Sequence, residues 1–198
     1  LLVPMLGSVF KSDFSRPLMR LFVYRGAAHV GAVFLWFFAM ARIPLADVTA
    51  MNYLSPIYVT LGAALFLGEK LALRRVIAVG IALVGALIIL RPGIRSVDMG
   101  HLAMLLAAVF FACSYLLTKR LSDQVSAGTI VVMLSLFVTV GLAPMAWMVW
   151  VPPSTNDLLI LFGVACFATL GHYTMTLAFA AAPVNITQPV TFLQLVWA

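Results

Sequence analysis

The chain has 198 residues, of which 64% are hydrophobic and only 9% are charged, and its formal net charge is +6. Because a water-soluble domain needs about 25% charged residues to cover its surface, this composition excludes one. The mean hydropathy of +1.13 is instead typical of an integral membrane protein.

Apolar runs long enough to cross a membrane follow one another along the chain. About 20 apolar residues in a helix span a bilayer core of about 30 Å, and a helix satisfies its backbone hydrogen bonds internally. The runs lie at Leu21–Ala41, Val48–Leu67, Ala72–Leu90, Met99–Thr118, Ala127–Trp150 and Leu158–Ala182, with the tail of an earlier span at Leu1–Phe10 and the start of a seventh near Val184. The sequence therefore predicts an all-α integral membrane protein, a multi-span helical bundle. Because the chain begins at Leu1 and stops inside the last run, we expect it to be part of a longer protein.

Basic residues favour one side of the predicted membrane topology. Nine of the twelve lie around the start of the first full span or in every second connection after it: Lys11, Arg16, Arg20, Arg25, Lys70, Arg74, Arg75, Lys119 and Arg120. The positive-inside rule places these positions in the cytoplasm. The net positive charge then reflects topology and the anionic inner leaflet, and not a nucleic-acid-binding surface.

A weak internal repeat links Ala39–Tyr58 to Ala178–Trp197, which lies 139 residues later. Pro44 matches Pro183 at this offset. Three polar positions also correspond, because Thr49, Asn52 and Ser55 fall on Gln188, Thr191 and Gln194. The two hairpins are separated by an odd number of spans, so they face opposite sides of the membrane. Inverted repeats of this kind are the sequence signature of secondary transporters.

The polar residues of the two copies form a candidate substrate site. In the first copy, one helical face carries Thr49, Asn52, Tyr53, Pro56 and Thr60. Pro56 cannot donate a backbone hydrogen bond, so the carbonyl of Asn52 loses its usual partner and Pro56 becomes a candidate hinge. These residues, with Ser55 and the polar residues of the second copy, would line a cavity. The alternative is that they only fasten neighbouring helices together.

Further candidates lie elsewhere in the predicted spans. His29, and His172 with its neighbour Tyr173, lie inside predicted spans. The histidines could relay protons or bind an anionic group, or they could be neutral residues bonded to neighbouring helices. Trp36 and Tyr115 offer stacking surfaces for a planar ligand, although packing is the commoner role of such aromatic residues.

Other features of the sequence point away from catalysis. Glu69 is either a gate at the inner end of its helix or a solvated helix end. Cys113 and Cys166 lie in apolar runs as small packing residues. The sequence contains no motif of a hydrolase, a zinc enzyme or a phosphate-binding loop. We therefore predict neither an enzyme nor a bound cofactor or metal.

The order of these motifs resembles the EamA domain of the drug/metabolite transporter superfamily. The segment Ile43–Asp47, the helix containing Tyr53-Leu54-Ser55-Pro56, and the segments Leu67-Gly68-Glu69-Lys70-Leu71 and Leu90-Arg91-Pro92-Gly93 are similar to the end of that domain. The stretch from Ala182 to Trp197 looks like the same hairpin in a second copy. The second copy departs from this pattern at the position of Pro56, where it has Leu195. Its proline, Pro189, lies two turns before Leu195.

The resemblance implies a fold of ten helices in two inverted sets of five. Residues 1–91 would be a first repeat that lacks its start, and residues 99–198 a second repeat that lacks its end. It also implies a carrier for small metabolites in the cytoplasmic (inner) membrane, with helices 3, 4, 8 and 9 around the central cavity.

We therefore expect a secondary transporter that moves a small metabolite or drug-like molecule by alternating access. The alternative is a membrane scaffold without transport activity, whose polar residues only pack helices. The expected partners are the lipid bilayer and a small-molecule substrate, with no nucleic acid. Proton coupling and a homodimer stay open.

Overall fold

The computed structural model describes residues 2–68, 97–188 and 190, together with seven residues of the intervening stretch: Leu73, Ile77, Gly80, Ile81, Val84, Gly85 and Ile88. These seven are helical and fall in the predicted span Ala72–Leu90. The rest of that span lies outside the described residues.

Every described element of secondary structure is an α-helix or a short helical turn. The helices are α1 (Val3–Phe10), α2 (Arg16–Met40), α3 (Leu45–Asn52), α4 (Ser55–Phe66), α5 (Met99–Ser122), α6 (Ala127–Met148), α7 (Thr155–Ala181) and α8 (Val184–Thr187). Four of them, α2, α5, α6 and α7, are long and apolar enough to cross a membrane. The prediction of an all-α, multi-span membrane fold is confirmed.

Polar caps start two of the membrane helices before their apolar runs begin. At α6, the Ser126 hydroxyl accepts a hydrogen bond from the backbone N–H of Thr129 (3.3 Å). At α7, Ser154 and Asp157 form a reciprocal capping box, so this helix starts at Thr155 and not at the predicted Leu158. Such caps satisfy N–H groups that have no partner inside the helix.

The predicted single span Val48–Leu67 is wrong. The chain forms two helices there, α3 and α4, which are separated at Tyr53 and Leu54. This interruption is the principal difference between the sequence prediction and the fold.

The contacts divide the chain into two compact units. Unit 1 comprises Leu1–Ala27 and Leu117–Ala182, and unit 2 comprises Ala28–Leu116 and Pro183–Ala198. Helices α2 and α5 contribute residues to both units.

The core of unit 1 joins α2, α5 and α6. A cluster of buried side chains contains Leu18, Phe22, Leu121, Ile130 and Met133. Gly26 lets α2 and α6 approach closely, because a Cβ atom added at Gly26 would lie only 2.6 Å from Cβ of Phe137.

A lysine connects α5 to the end of α7 within unit 1. Pro183 has no N–H, so the carbonyl of Phe179, four residues earlier, cannot accept the usual helical bond. The Lys119 Nζ donates to that carbonyl at 2.7 Å and to Asp123 Oδ1 at 3.1 Å. Lys119 therefore donates to a carbonyl that Pro183 cannot serve.

The core of unit 2 forms around α3, α4 and α5. One cluster of buried residues includes Ala39, Val48, Met51, Met104 and Ala107. A second contains Leu54, Ile57 and Ala108. Met51 before the interruption and Ile57 after it are buried residues of these clusters, so packing holds the two short helices in place.

We expect Gly26→Val to destabilise the full-length protein by about 1–3 kcal/mol, because the added atoms would overlap Phe137. The measurement is thermal unfolding in detergent. Gly163→Val is the control, since a Cβ atom at Gly163 on α7 meets nothing within 4 Å. Equal melting temperatures for the two variants would contradict the close approach.

Candidate functional site

The interruption between α3 and α4 is the centre of the candidate site. The backbone N–H groups of Tyr53 and Leu54 bond to the carbonyls of Ala50 (3.3 Å) and Met51 (3.0 Å), three residues earlier, so the α-helical ladder ends there. A new helix starts when the N–H groups of Ile57 and Tyr58 bond to the carbonyl of Leu54, each at 3.0 Å. Pro56 lies in the first turn of α4, a position where its missing N–H costs little.

Ser55 places a polar group inside the apolar surroundings of the interruption. Its side chain is buried, at 3% exposure. Within the part of the chain that the structure describes, its hydroxyl oxygen has no hydrogen-bond partner. Leaving a buried hydroxyl unsatisfied costs roughly 1–3 kcal/mol, so a water or a ligand group at this position would be favourable.

Exposure along the predicted polar face changes at the interruption. Thr49 and Asn52 are exposed on α3, and Tyr53 is half-buried, whereas Pro56 and Thr60 are buried in α4. Two hydroxyls are satisfied locally, since Thr49 donates to the carbonyl of Leu45 and Thr60 to that of Pro56, both at 2.8 Å. Asn52 and Ser55 are the polar residues on either side of the interruption, and Tyr53 lies within it.

The second copy contributes Gln188, which also belongs to unit 2. Helix α8 packs against α4. Gln188 follows α8 directly and is 2% exposed. Thr191 and Gln194, the other second-copy candidates, and Glu69, the candidate gate, lie outside the described residues, as does Pro189.

The two hairpin turns that the sequence repeat relates have the same backbone geometry. Pro44 precedes α3 with φ −53° and ψ 140°, and Pro183 precedes α8 with φ −56° and ψ 144°. The carbonyl of each proline accepts hydrogen bonds from the residues three and four positions later. The matched prolines thus start a helix in the same way in both copies.

The aromatic candidates of unit 2 lie in packed surroundings. Trp36 packs against the buried cluster around Met51, and its ring centroid lies 5.3 Å from that of Phe37. Tyr115 stacks on Phe111 with a centroid distance of 6.2 Å. For both residues, such contacts are expected if the aromatic ring packs within the protein and does not stack on a ligand.

His29 has a specific partner on a neighbouring helix of unit 2. Its Nδ1 atom lies 3.2 Å from the hydroxyl of Ser114, and both residues are buried. The imidazole ring also meets Phe111 edge-on, at a centroid distance of 5.5 Å. The sequence analysis offered such a bond to a neighbouring helix as the alternative to a functional role for His29.

His172 and Tyr173 are half-buried residues of α7 and belong to unit 1. Tyr173 lines a cavity of about 480 Å³ within that unit, whereas His172 is not among the lining residues. These two candidates therefore belong to unit 1, whereas the residues of the interruption belong to unit 2.

Arg25 is a buried charge that the sequence analysis counted with the cytoplasmic basic residues. It lies within α2 and is only 1% exposed. Its Nε donates to the Thr118 hydroxyl at 2.7 Å, and its Nη1 donates to the carbonyl of Ile130 at 2.9 Å. The available signal was its position inside the run Leu21–Ala41, where an intramembrane cation is costly and is commonly functional.

Comparison with protein families identifies the chain. The sequence profile described as the EamA-like transporter family matches residues 1–91 and 98–198. The chain belongs to the EamA-like transporter family. With four candidate spans among its described residues, this family member is a multi-pass membrane protein.

Curated relatives are named as transporters. The family member is 32% identical over 157 residues to a riboflavin transporter of Vibrio cholerae, a match that covers 78% of this chain and 53% of the relative. It is 30% identical over 172 residues to a pseudopaline exporter of Pseudomonas aeruginosa, covering 85% and 61% of the two chains. It is 22% identical over 182 residues to an S-adenosylmethionine uptake transporter of Rickettsia prowazekii, covering 92% and 61%. The chain thus spans between half and two thirds of the length of these relatives. No solved structure gives a significant match.

We expect Arg25→Ala to destabilise the full-length protein by roughly 1.5–3 kcal/mol, the range for hydrogen bonds to a charged group. The substitution removes the donors to Thr118 and Ile130. Thermal unfolding in detergent measures the change, with Arg20→Ala, an exposed position on the same helix, as the control. A loss no greater than that of the control would show that the two hydrogen bonds do not stabilise the fold.

Proposed function

We propose that the full-length protein is a secondary transporter that moves a small molecule across the cytoplasmic membrane by alternating access. The two inverted repeats would correspond to residues 1–91 and 99–198. The family membership and the names of the relatives support transport of a small molecule. The matching geometry at Pro44 and Pro183 supports the repeat, and the predicted charge asymmetry supports the orientation.

The Ser55 hydroxyl, which has no partner among the described residues, is the observation that supports the site best. Discontinuous membrane helices are the usual place for substrate binding in secondary transporters, because their free backbone and side-chain polar groups can contact the substrate. Asn52, Tyr53 and Ser55 would line one half of the site, and Gln188, Thr191 and Gln194 the other. Pro56 would act as a hinge, and Glu69 as a gate at the inner side.

The substrate in this proposal is a small polar or amphipathic molecule with several hydrogen-bonding groups. Riboflavin, pseudopaline and S-adenosylmethionine, named for three relatives, share that character. Those names include both an exporter and an uptake transporter, so the proposal covers both directions. A proton gradient or exchange would supply the energy.

A membrane scaffold without transport activity is the second candidate, and Ser55 separates the two. If polar residues of the interruption only fasten helices, removing one lowers stability. If the Ser55 hydroxyl is kept for a ligand, removing it takes away an unsatisfied buried group, which leaves stability unchanged or raises it.

We expect Ser55→Ala to retain the melting temperature of the full-length protein and to raise the KM for transport about fivefold, the effect of losing one hydrogen bond. Uptake of radiolabelled riboflavin and S-adenosylmethionine into proteoliposomes would measure transport. Ser135→Ala, a half-buried serine on α6, is the control.

Two results would contradict the proposal. A lower melting temperature with unchanged uptake per folded protein would show that Ser55 fastens helices and does not contact the substrate. If neither compound, nor any compound of a wider metabolite panel, is taken up, the proposal of transport itself would be contradicted.

A further inference from the structure

The first turn of α5 has a histidine where helix caps commonly have a glutamate or a glutamine. Asp98 precedes α5 directly, and its Oδ1 accepts a hydrogen bond from the backbone N–H of Gly100 (2.6 Å). In return, Nδ1 of His101 accepts a hydrogen bond from the backbone N–H of Asp98 (3.1 Å). This reciprocal arrangement is that of a capping box. His101 therefore helps to start α5 through a ring nitrogen that must carry no hydrogen.

The other ring nitrogen of His101 lies beside the first turn of α3. Because Nδ1 is an acceptor, the neutral ring carries its hydrogen on Nε2. Nε2 is 3.7 Å from Oδ2 of Asp47, the acidic residue in the first turn of α3. The two side chains are only 13% and 18% exposed, so salt screens them less than a surface pair. The distance is longer than a hydrogen bond, and a movement of about 1 Å would close it.

These two helix starts lie in unit 2, at the outer end of its helices. The connections that precede α3 and α5 contain none of the nine basic residues assigned to the cytoplasm, so the positive-inside rule places both of them outside. The structure brings them together, since a Cβ atom added at Gly100 would lie 2.9 Å from Cγ2 of Ile43. His101 is therefore placed to respond to the pH of the outer medium.

Two carboxylates face His101 in the described part of unit 2. Asp47 lies across from Nε2, and Asp98 belongs to the same cap as Nδ1. Arg42 lies on the turn before α3, but its guanidinium stacks on the ring of Phe38, 3.5 Å from the centroid, and donates to the Phe38 carbonyl at 3.4 Å. Arg91 and Arg95 of the connection before α5 lie outside the described residues.

Protonation of His101 exchanges one of its contacts for the other. Imidazole is the side chain that changes its charge between about pH 5 and pH 8. With a hydrogen on both nitrogens, Nδ1 can no longer accept from the N–H of Asp98. Nε2 then belongs to a cation, which attracts the Asp47 carboxylate and can bond to it at about 2.7–2.9 Å.

We propose that His101 is a proton-dependent link between α5 and α3. Neutral His101 caps α5, whereas protonated His101 leaves the cap and fastens the start of α3 through Asp47. Helix α3 leads to Asn52 and to the interruption. The consequence for transport rests on the proposed function: protons on the outer side act on one wall of the substrate site, and His101 is a positioning residue that does not touch the substrate.

The first test measures the link itself and needs no substrate. Melting temperatures of the full-length protein in detergent are compared at pH 5.5 and pH 8.0 for the wild type, Asp47→Asn, His101→Gln and the double variant. Glutamine can still accept from the N–H of Asp98, as it does in capping boxes, but it does not titrate. His101→Gln therefore keeps the cap and removes the charge.

We expect Asp47→Asn to lower the melting temperature by about 2 °C more at pH 5.5 than at pH 8.0, because only charged His101 pairs with the carboxylate. The pair thus stabilises the fold at low pH, and this contribution is lost as the pH rises. In the His101→Gln background we expect the same effect of Asp47→Asn at both pH values. A wild-type effect that does not depend on pH, or the same pH dependence in the His101→Gln background, would overturn the proposal.

The second test separates the role in transport from the link. Uptake is measured with equal pH on both sides of the membrane, so that no proton gradient is present. Fastening α3 restricts its movement, so we expect the wild-type kcat to be about threefold lower at pH 5.5 than at pH 8.0. For His101→Gln and Asp47→Asn we expect a ratio close to one, and for His101→Gln at pH 8.0 the wild-type KM.

The outcomes of the two tests are distinguishable. The same pH ratio of kcat in the wild type and both variants would overturn the positioning role and leave the transport function. Coupling of His101 to Asp47 at pH 5.5, without uptake of any compound, would remove the transport function and leave the proton-dependent link.

Discussion

The lack of water in the bilayer core is the constraint on which the rest of this structure depends. Each backbone N–H and C=O group there needs a partner within the protein, and α2, α5 and α7 meet this need as unbroken helices. Helix α6 does so except at Pro144, which has no N–H to donate. Where the regular helical hydrogen bonds stop, another group must supply the missing partner. At Phe179 the Lys119 side chain supplies it. At the interruption between α3 and α4, the Ser55 hydroxyl is left without a partner among the described residues.

Several hydroxyl groups of this protein donate their single hydrogen to the backbone of their own helix. In Thr49, Thr60, Thr176 and Ser122 the hydrogen bonds to a carbonyl of the same helix. This arrangement satisfies the hydroxyl donor within the helix itself, in an apolar environment. A hydroxyl satisfied in this way can be kept in a membrane protein at far lower cost than a charged side chain.

The sequence predicted the helical class, most helix positions and the start of the last span near Val184, because apolar run length and the prolines Pro44 and Pro183 act locally. It did not predict the interruption at Tyr53 and Leu54. Pro56 marked the region, but whether a proline kinks a helix or starts a new one depends on packing around Met51 and Leu54. The burial of Arg25 depends on partners about 90 to 105 residues away, which no local pattern shows. The roles of Asn52, Ser55 and Gln188 in binding stay predictions.

Labelling of Asn52→Cys by a membrane-impermeant thiol reagent tests the central claim most directly. Full-length protein without other cysteines would be examined in right-side-out and inside-out vesicles, with and without a transported compound. Asn52 is exposed beside the interruption, so a substrate site with alternating access predicts labelling from both sides and protection by the compound. Labelling from one side only, at a rate that the compound does not change, would contradict it.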